Sequence, residues 1–320
     1  MNFSNFYYTE GGMVFGDKTA PIKKENIDIT IEKYFEELKR IFPNKASIFN
    51  MDTFRTAGSV GKKAVSGDID LIIDVKYLLP EFNESEVSKW GLSFEELEVS
   101  LEKHLKRART STREEVAVKS TLKGIGEIIE QKSEIIGVNV KKTTTSGLFT
   151  HTPQYDESTG ESLNIGVQVD WMVGDEELLK FSYYSDVYDG NIKGLHRTQA
   201  ILAMFSVLGY TFNHAKGLVD KETKEKVAIK PSDILKVLSD ELGYEIDEKI
   251  ASNYHSLMEI FRNTKYFEDW QQTYFKILDS TRADIPYDLQ DDWIRRQDEL
   301  NLKGKFLPQD SKLIKYQRGV

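Results

Sequence analysis

The segment Asp68-Ile69-Asp70-Leu71-Ile72-Ile73-Asp74-Val75 constrains this chain more than any other stretch. Its β-branched and aliphatic residues predict a buried strand from Asp68 to Val75. Positions i and i+2 of a strand share a face, so Asp68 and Asp70 project together. Two neighbouring carboxylates repel each other and are best tolerated where a divalent cation binds them. Hard oxygen ligands of this kind select Mg2+ or Mn2+. Asp74 is evenly spaced with Asp70 and competes for the same role, but it lies deeper along the strand.

The residues just upstream supply what a metal pair lacks. Gly58-Ser59 reads as a turn, where glycine lets the backbone approach a phosphate closely and Ser59 offers a hydroxyl and an N–H. Lys62 and Lys63 add positive charge beside a triphosphate, and read equally well as solvated loop charges. A two-metal site needs a third acid, and Asp170 is the best candidate. It sits in the alternating stretch Ile165 to Val173, where an unpaired carboxylate is expensive without a cation. The alternative for Asp170 is a structural acid at a strand end. Two metals about 3.5–4 Å apart would activate a hydroxyl and stabilise a pyrophosphate leaving group.

Around this core the chain reads as mixed α and β, with a helical second half. Residues 1–25 form an N-terminal arm without periodicity. Ile29, Ile31, Tyr34, Phe35, Leu38 and Ile41 recur at helical spacing until Pro43. Residues 76–112 read as an insertion with a Glu-rich helix over 94–105 and a basic cluster of Lys103, Lys106, Arg107, Arg109 and Arg113. A helix is predicted from about Glu114 to Ile136, then strands at 138–140 and 147–149 and a turn region over 152–161. A boundary near residues 185–195 separates the mixed part, 26–190, from a region with a small hairpin, 191–243, whose last helix has Ser232 as N-cap. A helical extension, 244–320, follows. Its aromatics, among them Trp270, Tyr274 and Phe275, read as helix core rather than a base-stacking platform. His196 beside Arg197 is the one histidine pair worth following; the five histidines have no metal-ligand spacing.

Composition narrows the function classes. With 43 Lys+Arg against 52 Asp+Glu, the formal charge of −9 argues against a protein that coats nucleic acid by bulk charge. The absence of cysteine excludes a disulfide scaffold, a thiolate zinc site and a cysteine nucleophile, and fits a reducing, cytoplasmic compartment. No run approaches the roughly 18 apolar residues of a membrane span, and the polar start MNFSNFYYTEGG lacks a signal-peptide pattern.

The Gly-Ser turn, the Asp-x-Asp strand and the later single Asp resemble the nucleotidyltransferase superfamily that includes DNA polymerase β. The wording GSVGKKAVSGDIDLII is most similar to the palm of the family X DNA polymerases, with a loop about one residue shorter than the commonest form. Residues 122–145 and 147–170 resemble the palm helix and strands that carry the third acid. Leu208 to Leu218, with Asn213, and the helix from Ser232 resemble the small thumb, although His214-Ala215 replaces the usual Glu-Tyr. Gly58 lies too near the N-terminus for the lyase and fingers regions of that family.

The resemblance implies an α+β palm with a small thumb, two Mg2+ or Mn2+ ions held by Asp68, Asp70 and Asp170, and phosphates cradled by Gly58, Ser59 and Lys62 or Lys63. Tyr184, in the stretch from Phe181 to Ser185, is the nearest counterpart of a tyrosine beside the incoming sugar. The implied substrate is an NTP or dNTP, and the implied acceptor a nucleic-acid 3′ end, bound weakly or with assistance. The alternatives are a different acceptor (a tRNA end, a small nucleotide or a protein hydroxyl) and a palm-like scaffold without activity.

Overall fold

The computed structural model of the chain describes residues 14–58, 60–62, 64–106, 112–183, 192, 194–214, 216–281 and 283–302. The predicted N-terminal sequence character (residues 1–13) and the residues Ser59, Lys63, Arg107, Arg109 and Tyr184 therefore lie outside the described residues. The chain divides into two compact units, one ending at Leu179 and the other beginning at Lys180. Its class is α+β, and among the described residues no helix is long and apolar enough to cross a membrane.

The first unit opens with a short strand β1 (Ile22–Lys23) and the helix α1 (Ile27–Ile41), which buries Ile31, Tyr34, Phe35 and Leu38 along one stripe. The strands β2 (Phe54–Thr56), β3 (Val65–Ser66) and β4 (Ile69–Asp74) follow, β3 pairing antiparallel with β1. Three helices, α2 (Val75–Leu78), α3 (Glu84–Lys89) and α4 (Phe94–Leu105), fill the insertion, and α4 matches its predicted span. They share a small core of their own, including Leu79, Val87, Leu101 and Val116. Next come α5 (Arg113–Lys132), β5 (Gly137–Val138), β6 (Gly147–Tyr155), β7 (Ser162–Gly174) and α6 (Glu176–Tyr183), whose last turns belong to the second unit.

Five strands form one mixed sheet in the order β2-β4-β7-β6-β5, with β4 and β7 parallel and the other neighbours antiparallel. Strand alternation gives this sheet two unlike faces. Ile69, Leu71 and Ile73 of β4 and Val167, Val169, Trp171 and Val173 of β7 join the core with α1 and α5. Within that core the Trp171 Nε1–H donates to the Tyr34 hydroxyl at 2.8 Å, and Thr150 Oγ1 donates to the Val169 carbonyl at 2.8 Å. The opposite face carries Asp70, Ile72 and Asp74 beside Gln168, Asp170 and Met172.

Several boundaries differ from those predicted. Helix α5 stops at Lys132, because the Ser133 hydroxyl accepts the N–H groups of Ile135 and Ile136 and turns the chain out of the helix. Strand β5 covers only Gly137 and Val138, and Val140 begins a 3-10 turn. The predicted turn region over 152–161 begins as strand: β6 runs to Tyr155 past Pro153, which is tolerated because β5 does not extend alongside it. Only the tip turns, with Asp156 Oδ1 accepting from the N–H groups of Ser158 and Thr159. Residues 14–23 are not a loose arm. Ala20 N–H donates to the Gly166 carbonyl at 2.9 Å, Thr19 bridges Gly166, and Gln154 Nε2 donates to the Ala20 carbonyl at 2.9 Å.

The second unit contains α7 (Gly194–Val207), the strands β8 (Tyr210–Asn213), β9 (Gly217–Asp220) and β10 (Lys226–Ala228), then α8 (Pro231–Leu242), α9 (Glu248–Ser252), α10 (Tyr254–Arg262), α11 (Phe267–Thr281) and α12 (Gln290–Arg296). The predicted hairpin is a three-stranded antiparallel sheet, because Gly217–Asp220 supplies a middle strand too short to carry a readable period. Helix α8 begins at Pro231, with Lys230 as its N-cap, so Ser232 is not the cap. Tyr254, Phe261, Trp270, Tyr274 and Phe275 are buried in the helical core, as expected for that stretch. His196 and Arg197 are buried too: the His196 ring bonds the Asp284 carbonyl at 2.8 Å, and Arg197 donates to the carbonyls of Phe181 and Ala251.

Candidate metal centre

Sequence separation between Asp70 and Asp170 disappears in the sheet. Because β4 and β7 are parallel neighbours, Asp70 stands directly opposite Asp170, with their side chains on the same face. Strand β4 begins at Ile69, one residue later than predicted, so Asp68 sits on the bend that enters it. Asp68, Asp70 and Asp170 each nevertheless present one oxygen within 4.8 Å of the others. Three residues from two distant segments thus converge on one spot at the start of β4.

The electrostatics of this spot are unfavourable for bare carboxylates. Burial pushes the Asp70 carboxyl well above the usual range, and the neighbouring charges of Asp68 and Asp170 push it further. Burial does the same to Asp170, Asp68 adds to it, and the hydrogen bonds from Gln168 oppose both. A divalent cation would offset this upward push by favouring the charged carboxylates, and an all-oxygen donor set of this size fits Mg2+ or Mn2+. The three residues therefore fit such an ion.

Gly58 is fitted to the same spot. The Ala57 N–H donates to the Asp70 carbonyl at 3.0 Å, which continues β2 toward the carboxylates, and Gly58 then turns with φ +60°. A Cβ at Gly58 would lie 2.7 Å from Asp70 Oδ2, so both the backbone angle and the space require glycine. Val60 is buried in the core and anchors the far side of this turn, while Lys62 is exposed on it. Asp74 is accounted for otherwise. It caps α2 by accepting the Lys76 N–H at 2.8 Å, and pairs with Lys76 Nζ at 3.0 Å. In the predicted basic cluster, Arg113 is engaged by Glu98 and Glu102 at 3.3 and 2.5 Å.

Sequence reasoning missed Gln168. Its Nε2 donates to both oxygens of Asp170 at 2.9 Å, and its Oε1 accepts the Val14 N–H at 3.2 Å. The signal was present: a polar residue two positions before Asp170, in an otherwise apolar strand, must share its face. No protein-family model matches this chain, and no curated protein is detectably similar to it.

Proposed function

We propose that the chain is a metal-dependent nucleotidyltransferase, with the five-stranded sheet as a palm and β8–β10 with α8 as a thumb-like part. The observation that carries this reading is the register that sets Asp70 opposite Asp170 with Asp68 beside them, next to a glycine turn that a side chain would obstruct. In this reading Asp68, Asp70 and Asp170 hold Mg2+ or Mn2+, which when bound lowers the pKa of a hydroxyl and neutralises charge on the phosphates. An acceptor hydroxyl attacks the α-phosphorus of an NTP or dNTP, a new P–O bond forms, and the bond to the β-phosphate breaks to release pyrophosphate. In this reading Asp170 also takes the proton of the attacking hydroxyl. The turn at Gly58, with Lys62, cradles the outgoing phosphates.

The acceptor in this proposal is a nucleic-acid 3′ end. The net charge of −9 goes with a weak or assisted grip on it, and the lack of cysteine suits a cytoplasmic setting. Incubation with labelled NTPs and dNTPs and Mg2+ or Mn2+, across DNA, RNA, tRNA and protein acceptors, tests the reading. Transfer to a nucleic acid that disappears in the Asp68→Ala/Asp70→Ala double variant is the expected result. No turnover on any acceptor, with the variant indistinguishable from wild type, overturns it.

A further inference from the structure

Gln168 is placed in an unusual way for a residue beside a carboxylate. A single nitrogen that is 2.9 Å from both oxygens of Asp170 stands across the mouth of that carboxylate, where a chelating metal ion would otherwise sit. Each oxygen keeps its outer lone pair, and at least one of them faces Asp68 and Asp70. The amide cannot rotate its oxygen into this position without cost, because Oε1 accepts the backbone N–H of Val14 at 3.2 Å. A flipped amide would set an acceptor against a carboxylate and a donor against a donor.

The residues before β1 fix that second bond. Phe15 meets the ring of His151, the Cα partner of Gln168 on β6, edge-on at 4.6 Å, and Ala20 donates to Gly166 at 2.9 Å. The contact is close enough that a Cβ on Gly166 would lie 2.6 Å from the Lys18 carbonyl. Residues 14–20 are thus a strap laid across β7 at Gly166 to Gln168, and the strap sets the orientation of Gln168.

We propose that the strap and Gln168 restrict Asp170 to binding a metal through one oxygen, and so make the centre selective for Mg2+ and Mn2+ over Ca2+. This rests on the metal centre proposed above and adds to it which ions the centre refuses. Mg2+ and Mn2+ are satisfied by single-oxygen ligands in an octahedron, Mg2+ at about 2.0–2.1 Å. Ca2+ takes six to eight oxygens at about 2.3–2.6 Å and gains from carboxylates that bind through both. Blocking the mouth of one of three carboxylates removes a ligand atom that Ca2+ uses and the smaller ions do not need. Gln168 is a positioning residue, since it acts through Asp170.

Isothermal titration of the full chain with Mn2+, Mg2+ and Ca2+ separately, without nucleotide, gives the ratio of Ca2+ to Mn2+ affinity. The expected result is that Gln168→Met raises this ratio about tenfold, while the Mg2+ to Mn2+ ratio stays constant. Gly166→Ala, which leaves Gln168 in place but displaces the strap, raises the Ca2+ to Mn2+ ratio in the same direction by a smaller factor. It also keeps the test open if Gln168→Met does not fold. Wild type that binds Mn2+ with a Ca2+ ratio unmoved by the variant that folds overturns the selectivity claim and leaves the metal centre standing. Wild type that binds none of the three ions overturns both.

Discussion

Asp170 in the first unit and Asp288 in the second are both carboxylates that burial pushes above the usual range, but their surroundings differ in kind. Asp288 is met by Arg262 Nη2 at 2.9 Å and by the Tyr254 hydroxyl at 3.3 Å, and the guanidinium and the hydroxyl both oppose the effect of burial. Asp170 receives a neutral amide, and the charge that acts on it is the negative one of Asp68. In the second unit a half-buried acid is balanced by a fixed side-chain cation, which serves the fold. In the first unit acids are set against acids, so the fold carries a cost there that a mobile cation can relieve.

The comparison breaks most severely at Asp70. Asp70→Asn keeps the shape of the side chain and removes one charge from the cluster. Nucleotide transfer falls by at least about 10³-fold, read from initial rates at saturating Mg2+. The metal-free melting temperature moves the other way. Relief of like-charge repulsion worth about 1 kcal/mol raises it by roughly 2–4 °C at pH 8 in a unit of this size. A variant that is both inactive and less stable would place Asp70 with Asp288, as an acid that holds the fold.

Arg197 is the opposite test. It is buried, donates to the carbonyls of Phe181 and Ala251, and lies over the Phe181 ring with its guanidinium 4.9 Å from the centroid. Arg197→Met keeps most of the bulk and removes the donors, leaving buried carbonyls behind. The expected loss is about 3 kcal/mol, seen as a fall of roughly 6–12 °C in the melting midpoint. Mn2+ affinity of the first unit stays at its wild-type value. Loss of Mn2+ binding in a folded Arg197→Met protein would contradict this division of labour.

These two residues also show what was legible in the sequence. Asp70 could be read because its environment is local: a period-two strand fixes its face, and the Gly-Ser turn lies in the segment that leads into that strand. Asp170 could be named but not placed, since nothing in Ile165 to Val173 says that β7 lies parallel to β4 with zero offset between the two acids. Gln168 was legible only as a neighbour of Asp170 on one face, because the bond that orients it comes from the strap, which makes contacts across more than a hundred residues. Arg197 was noticed for the wrong neighbour: the pair with His196 is adjacent in sequence, but burial in α7 and bonds to distant carbonyls give both a structural role. In the insertion only α4 was legible to the residue, because a local cap decides where it starts, whereas α2 and α3 are too short to show a period. Asn83, Ser93 and Thr112 each accept an N–H from the first turn that follows.

His214, also in the second unit, gives a smaller and pH-dependent effect. It is buried, and burial pushes its imidazole down to about 4. The unfolded chain takes up a proton near pH 6.5, the folded one only near 4, so stability is full above pH 6.5 and is lost as the pH falls between these values. At pH 5 the loss is about 2 kcal/mol relative to pH 8. His214→Leu has no such proton to take up, so its stability, measured by urea unfolding from pH 8 to 5, falls less steeply than that of wild type by this amount. Parallel slopes would mean that His214 titrates normally.

The smallest effect separates two glycines with the same backbone angle. Gly58 and Gly243 have φ of +60° and +73°, and any L side chain at either costs about 1 kcal/mol of strain. At Gly243, which ends α8, a Cβ would meet nothing within 4 Å, so Gly243→Ala shows this strain alone. At Gly58 the Cβ would press on Asp70 Oδ2 from 2.7 Å, so Gly58→Ala pays the strain and also displaces a carboxylate of the centre. The expected outcome is a further loss of about 1 kcal/mol of stability and a roughly tenfold drop in transfer. In an Asp70→Ala background the carboxylate is gone, and the Gly58→Ala penalty shrinks to the Gly243→Ala value. Equal penalties in both backgrounds would mean that Gly58 serves only its turn, and that the fit between turn and carboxylate plays no part.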